Sequence, residues 1–231
     1  MCLGCGRQSV DTDFKRMRFT KDVVETSMGL YTDGLSLRKT RKRVKKIYKI
    51  LVRSNQSVLN WLDRFGKKPR QVLKGLAERL HADETLLKTW KKGLFFYFWA
   101  MRCKGSQPVG WHVSEDRNLY ETKMLMWEAM RRFPVDYLPG FIRTDSMPAY
   151  RKAISSVFRH EVKHEKVISF RHGNNVIENF FRCKSRFPRF RTLKNARLFI
   201  NHWMWENFGE DSFLAILYHT FIGSYLIKSL I

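Results

Sequence analysis

The sequence predicts an α/β protein in which a mixed-sheet core follows an all-α N-terminal module. Three observations predict it. Residues 21–66 carry short apolar stripes at three- and four-residue spacing in a basic context, which is the period of amphipathic helices. Three strand-like runs follow, Arg79–Trp90, Leu94–Cys103 and Pro108–Asp116, separated by the turn signals Lys91–Gly93 and Lys104–Pro108. After them, helical and strand-like segments alternate.

In the N-terminal module, Lys21–Tyr31 reads as a first helix. Thr32–Gly34 breaks the chain, and Ser36 can cap a second helix over Arg38–Lys49. Val44, Ile47, Tyr48 and Leu51 give that helix one stripe expected to be buried. Ser54 or Asn55 can cap a third helix. Val58, Leu59, Leu62 and Phe65 supply its apolar spacing, and Gly66 stops it. Three short helices with a tight connection before the third describe a helix-turn-helix. An ordinary three-helix bundle with a solvated basic face fits the same pattern. In the helix-turn-helix reading, Asn55, Gln56, Ser57 and Asn60 project towards base edges, beside the basic Lys42, Arg43, Lys45 and Lys46. Residues 67–78, within and beyond "GKKPRQ", read as a linker.

The core reads in order along the chain. Three strands joined by short turns make an antiparallel meander. Asn118–Phe133 is an amphipathic helix, Leu138–Ser146 a strand, Met147–Phe158 a helix and Val162–Phe170 a short strand. From Asn174 the chain reads as helical, interrupted near Pro188. Three antiparallel strands followed by alternating helix and strand is the order of a ribonuclease-H-like α/β core, placed here at 79–208.

Charge narrows the function. The chain of 231 residues has 44 Lys+Arg against 21 Asp+Glu, a formal +23. The first 78 residues hold 19 basic and 7 acidic side chains, and Arg38–Lys49 alone has eight basic and no acidic residues. Such a field attracts polyanions, nucleic acid first among them. Four cysteines, Cys2, Cys5, Cys103 and Cys183, make no disulfide framework in a chain of this length, so a reducing interior is expected. No apolar stretch follows a basic start, so no signal peptide is read. Phe213–Ile231 is mostly apolar. It is close to the length of a spanning helix, but His219, Thr220, Ser224 and Lys228 interrupt it, and a packed C-terminal helix is the favoured reading.

Asp83 lies midway along the first core strand, and Asp145 ends the fourth. In a mixed sheet of this order those strands are neighbours, so their carboxylates can meet at one edge. Glu178 sits on the helix after the fifth strand. Carboxylates brought close repel each other unless a divalent cation neutralises them. Oxygen-only ligands favour Mg²⁺ or Mn²⁺. Two such ions, about 3.5–4 Å apart, can serve an in-line phosphoryl displacement. Glu84 points to the opposite face of its strand from Asp83 and is set apart from the ligands. His81 and His164 are given no role.

The segments "HADET", "IRTDSMPAYRKAI" and "NNVIENFFR" resemble the DDE transposases of prokaryotic insertion sequences. The resemblance is nearest to the short single-protein group that moves by replicative cointegrate formation, and it covers roughly Lys21 to Phe208. In that group an Asp-Glu-Thr opens the core, a Thr-Asp begins a segment ending Ser/Ala-Tyr-x-x-Ala, and Asn-Asn-x-x-Glu supplies the third carboxylate. The resemblance implies a retroviral-integrase-like core in which Asp83, Asp145 and Glu178 are both catalytic residues and ligands of two Mg²⁺ (or Mn²⁺) ions. It implies that Asn174 and Asn175 cap the helix presenting Glu178. Arg182 and Arg186 are expected on the same helical face as Glu178, holding DNA phosphates.

The implied partners are double-stranded DNA, as inverted repeats and as target, and further copies of the chain in a homodimer or higher multimer. A cytoplasmic, nucleoid-associated protein with no membrane partner is expected. Residues 1–20 depart from the pattern. Cys2 and Cys5 look like half of a zinc ribbon, and two thiolates are not expected to hold a structural zinc. Residues 209–231 depart too, with an apolar tail where relatives are polar. Two readings follow from the sequence. One is a transposase that binds inverted repeats and catalyses Mg-dependent strand cleavage and strand transfer. The alternative is a non-catalytic DNA-binding protein derived from a decayed transposase. A nuclease acting on RNA is less favoured, because a helix-turn-helix suits duplex DNA.

Overall fold

The computed structural model describes residues 17–66, 78–103, 108–133, 137–167 and 174–208. The chain divides into two units, Met1–Phe65 and Gly66–Ile231. Most of the N-terminal leader, residues 67–77 of the linker and the apolar tail lie outside the described residues, and so do Cys2 and Cys5.

The first unit has three helices, α1 (Lys21–Thr32), α2 (Leu37–Tyr48) and α3 (Asn55–Phe65). Ser36 caps α2 by accepting from the Lys39 N–H. Val23, Val24, Met28 and Tyr31 of α1 meet Val44, Val58, Leu59, Trp61 and Leu62 in a small buried core. Each such side chain contributes about 1.5–3 kcal/mol by leaving water. The connection between α2 and α3 is fixed by one side chain. The Arg41 guanidinium donates to the carbonyls of Val52 and Arg53 and, at 3.1 Å, to Asn55 Oδ1. The expected buried stripe on α2 needs correction. Val44 and Thr40 are buried, but Ile47 and Leu51 are 52% and 54% exposed. For Leu51 the reason is local: α2 ends at Tyr48, and Lys49 adopts a left-handed conformation with φ 58°. Leu51 therefore lies off the helix.

The second unit is built on one sheet. Its strands are β1 (Arg79–Lys88), β2 (Phe95–Cys103), β3 (Pro108–Ser114), β4 (Phe141–Thr144) and β5 (Lys163–Lys166), in spatial order β3-β2-β1-β4-β5. The pairs β1–β2 and β2–β3 are antiparallel, and β1–β4 and β4–β5 are parallel. Parallel neighbours need crossovers, and α4 (Leu119–Met130) and α5 (Pro148–Val157) supply them. β4 and β5 are shorter than expected. β4 stops at Thr144, so its pairing with β1 covers only Arg79–His81. Asp145 lies just past the strand end.

Alternation along β1 and β2 feeds two cores. Leu80, Ala82, Trp99 and Met101 pack with Leu125, Met126 and Ala129 of α4 and with Tyr150, Ala153 and Ile154 of α5. Gly110 on β3 is required by that packing. A Cβ there would lie 2.8 Å from the Cβ of Ala129. On the other face, Phe98 meets Phe180 and Phe181 at ring-centroid distances of 6.0 and 5.4 Å. Those two rings close α6 (Asn175–Phe181). Phe187 joins Phe199 and Trp203 of α7 (Leu193–Phe208), each at 5.1 Å.

Candidate active site

β1 presents Asp83 and Glu84 beyond the point where β4 ends. Their neighbours confirm that the two side chains belong to opposite faces. Asp83 shares its face with His81, which meets Asn174, and with Thr85, which accepts from the Lys184 ammonium. Glu84 shares the face of Leu80 and Ala82, and its Oε2 accepts from the buried Tyr150 hydroxyl at 2.7 Å.

Glu84 nonetheless lies close to the expected ligands Asp83 and Asp145. One ligand oxygen from each of Asp83, Glu84 and Asp145 lies within 4.8 Å of the other two. Opposite faces do not separate the carboxylates because the edge of β1 is open here. The β1–β4 ladder ends at His81 and Arg143, and β4 itself stops one residue later at Thr144, just before Asp145. Loop geometry holds Asp145, whose Oδ1 accepts from the Met147 N–H at 3.0 Å.

Arg117, just before α4, closes the group. Its Nε donates to Glu84 Oε1, and its Nη2 lies 3.4 Å from Asp145 Oδ2. Burial pushes the Asp83 carboxyl up to about 7, and the Glu84 charge adds to the rise. Its own contact with the Glu84 N–H, at 2.8 Å, acts the other way. Burial also raises the Tyr150 hydroxyl well above its ordinary value, with Glu84 adding, so it stays a donor. A half-buried oxygen cluster of one sign is a fit for a hard divalent cation.

Glu178 lies in the first turn of α6 and is exposed. Its charge is felt at Asp83, but it is not one of the three residues grouped within 4.8 Å among the described residues. Asn174 precedes α6 without capping it by its side chain, contrary to expectation. Its Oδ1 lies 2.6 Å from His81 Nδ1, and its Nδ2 donates to the Ala82 carbonyl at 3.1 Å. The side chain thus ties the start of α6 to β1 beside Asp83. Asn175 is exposed on the first turn.

The expected face shared by Glu178, Arg182 and Arg186 does not extend to Arg186. The α-helix ends at Phe181, and Arg182–Arg186 form a 3₁₀ turn. At about 3.0 residues per turn, residues four apart no longer align. Lys184 is the basic residue that reaches the β1 strand.

In the first unit, Lys42, Arg43, Lys45 and Lys46 are exposed on α2. Asn55, Gln56 and Asn60 are exposed on α3, and Ser57 is half-buried. Gln56 and Asn60 hydrogen-bond each other at 2.9 Å. Among the described residues no helix is long and apolar enough to cross a membrane.

Sequence reasoning missed Arg117 and Lys184. The Tyr150 position carried a signal, since it falls in the Ala-Tyr-x-x-Ala pattern at Ala149–Ala153.

A five-stranded mixed sheet of this order, with carboxylates gathered at the end of its central parallel pair, defines a ribonuclease-H-like core. Residues 77–202 match the DDE domain family of IS240-type transposases. That is more than half of the chain, and the chain belongs to this family. No curated protein matches it.

Among solved structures it is similar to a chain of the simian T-cell lymphotropic virus intasome in complex with PP2A regulatory subunit B56 gamma. Identity is 15% and the TM-score 0.40, over 71% of this chain and 63% of that one. The match thus spans under two thirds of that chain's length. The HTLV-2 integrase catalytic core domain in complex with magnesium is 19% identical, with a TM-score of 0.35, over 61% of this chain and 86% of that one. The Mos1 strand transfer complex gives 12% identity and a TM-score of 0.40, over 86% of this chain and 72% of that one.

Proposed function

We propose that the chain cuts and joins DNA at the ends of an insertion sequence, with divalent cations held by Asp83, Asp145 and Glu178. The observation that carries this reading is the convergence of Asp83, Glu84 and Asp145 within 4.8 Å in a chain of the DDE domain family. The group also fits by its charge. Asp83 is driven towards its neutral form by burial and by Glu84, a strain that a bound cation relieves. When bound, Mg²⁺ or Mn²⁺ supplies activation of the attacking oxygen and stabilisation of the leaving one, and two ions suit both tasks.

The remaining roles fall to the chain's own side chains. Tyr150 and Arg117 engage Glu84, which places that carboxylate as a positioning group and leaves Asp83 and Asp145 facing the cations. Glu178, on the exposed first turn of α6, completes the ligand set when DNA and metal are present. Arg117 is 42% exposed and can turn from Asp145 to a phosphate oxygen, since its guanidinium fork suits both anions. Lys184, against Thr85, places an ammonium beside Asp83 on the same face. Arg182 and Arg186 extend that basic run. They hold the backbone without reading sequence.

We assign recognition of the terminal inverted repeats to α2 and α3 as a helix-turn-helix. Lys42, Arg43, Lys45 and Lys46 meet phosphates, and Asn55, Gln56, Ser57 and Asn60 meet base edges. Joining two element ends to one target calls for two or more copies of the chain. The test is incubation of the purified chain with DNA carrying the element's ends, with Mg²⁺ or with a chelator. Strand nicks at the ends that need Mg²⁺ support the proposal. Binding without any metal-dependent nick refutes it.

A further inference from the structure

Trp90 follows β1 and is 62% exposed, yet it is firmly held. Its indole N–H donates to the Arg189 carbonyl at 3.0 Å. Its backbone N–H donates to the Phe190 carbonyl at 3.1 Å, and the Phe190 N–H donates to Lys88 at 3.0 Å. Thr89 bridges Phe190 as in a parallel pair. The next turn is set by Gly93 at φ 81° and by the Thr89 hydroxyl, 2.9 and 2.7 Å from the carbonyls of Lys91 and Leu94. Arg191 places its guanidinium carbon 5.6 Å from the Trp90 ring centroid.

The surroundings are of one sign. Residues 88–94 carry three basic and no acidic side chains, and residues 184–194 carry five basic and none acidic. A rigid exposed indole gains little for the folded chain, because its apolar face stays in water. A flat ring amid cations matches a ligand with a π-face on an anionic backbone. Duplex bases already stack on each other, so the matching ligand is an unpaired strand. We propose that Trp90, with Arg191 against it and Lys88, Lys91, Lys92 and Arg189 around it, is a stacking platform for an unpaired base of single-stranded DNA.

The platform rests on the reading of the chain as a DNA-cutting enzyme, which creates free strand ends. Trp90 lies seven residues beyond Asp83. At about 3.3 Å per residue, that puts it roughly 20 Å along the strand from the carboxylates, within reach of the same DNA molecule.

The test uses the full chain, a fluorescent oligothymidylate strand and a duplex of equal length at one salt concentration. Wild type is compared with Trp90→Leu and Trp90→Phe. Both substitutions lose the indole bond to Arg189, so a purely structural effect is common to the two, whereas only phenylalanine keeps a π-face. Trp90→Leu is expected to weaken single-strand binding by about tenfold and duplex binding by less than about twofold, with Trp90→Phe retaining most of the single-strand affinity. Leucine and phenylalanine variants that behave alike, or a leucine variant weakened equally for strand and duplex, would overturn the platform alone. A wild-type chain that binds neither DNA would overturn the parent reading with it.

Discussion

The Tyr150 hydroxyl lies 2.7 Å from Glu84 Oε2, joining positions 66 residues apart. Tyr150 is fully buried, and the Glu84 side chain is 6% exposed. A carboxylate so placed needs donors, and Arg117 supplies the second. The pair explains how two adjacent acids fit on a buried strand. Glu84 is held by the protein, and on the proposed reading Asp83 is left for a cation.

Tyr150→Phe leaves Glu84 one donor short. A hydrogen bond to a charged group contributes about 1.5–3 kcal/mol, so unfolding in urea should show a loss of about 2 kcal/mol. Nicking of DNA should fall as well, because Glu84 is then free to move. An unchanged midpoint would mean that Glu84 finds another partner at no cost.

Asp83→Asn removes a desolvated carboxylate from beside two others. Sites of this kind trade stability for activity. The metal-free variant at pH 8 should melt a few degrees higher than wild type, since about 1 kcal/mol shifts the midpoint by about 2–4 °C at this size. Mg²⁺ should raise the melting temperature of wild type and leave that of the variant nearly unchanged. A variant that is less stable without metal would contradict the idea of a repulsive site.

His112 predicts the acid response. Its ring stacks on Trp99 at an interplanar angle of 2°, and its Nε2 lies 2.9 Å from Glu121. That contact has the geometry of an ion pair, yet burial, with the Arg197 charge adding, pushes the imidazole down to about 3. We take the neutral ring as the folded form, because Nδ1 is buried without a partner, and Glu121 limits the size of the shift. A histidine depressed on folding is neutral when folded and takes a proton on unfolding, so its contribution is complete above the unfolded value. It is lost as pH falls from about 6.5 towards the folded value, at up to about 1.4 kcal/mol per pH unit. Urea unfolding at pH 5.5 should show roughly 1 kcal/mol less stability than at pH 7.5 from this group. His112→Phe should flatten that slope. Equal slopes in both proteins would remove His112 from the cause.

Much of the fold was legible in the sequence, for physical reasons. Turn signals between apolar runs gave the antiparallel meander, and the order of a mixed sheet made β1 and β4 neighbours, as observed, with Asp145 just past the end of β4. What the sequence did not show depended on where elements end. The stop of β4 at Thr144 brings Glu84 into the cluster, and the stop of α6 at Phe181 breaks the expected arginine face. The turn at Lys49 leaves Leu51 in water. Arg117 and Lys184 had no periodicity to betray them. Their partners, Glu84 and Thr85, are 33 and 99 positions away, and only the folded sheet brings them near.

Replacing Lys42, Arg43, Lys45 and Lys46 with Gln tests the binding unit. All four are exposed, so the fold should stand. Duplex affinity should fall. The slope of log affinity against log salt should flatten by about one unit for each phosphate that is no longer neutralised. An unchanged slope would make the basic helix a solvated face.

The most direct measurement is Mg²⁺-dependent nicking of element-end DNA by Asp83→Asn, Glu84→Gln, Asp145→Asn and Glu178→Gln, with duplex binding measured alongside. With Asp83, Asp145 and Glu178 as ligands and Glu84 as their support, three variants should lose about a thousandfold or more while still binding DNA. Glu84→Gln, which keeps an acceptor for Tyr150, should lose about tenfold. A dead Glu84→Gln beside an active Glu178→Gln would contradict this and make the cluster of Asp83, Glu84 and Asp145 the metal site itself.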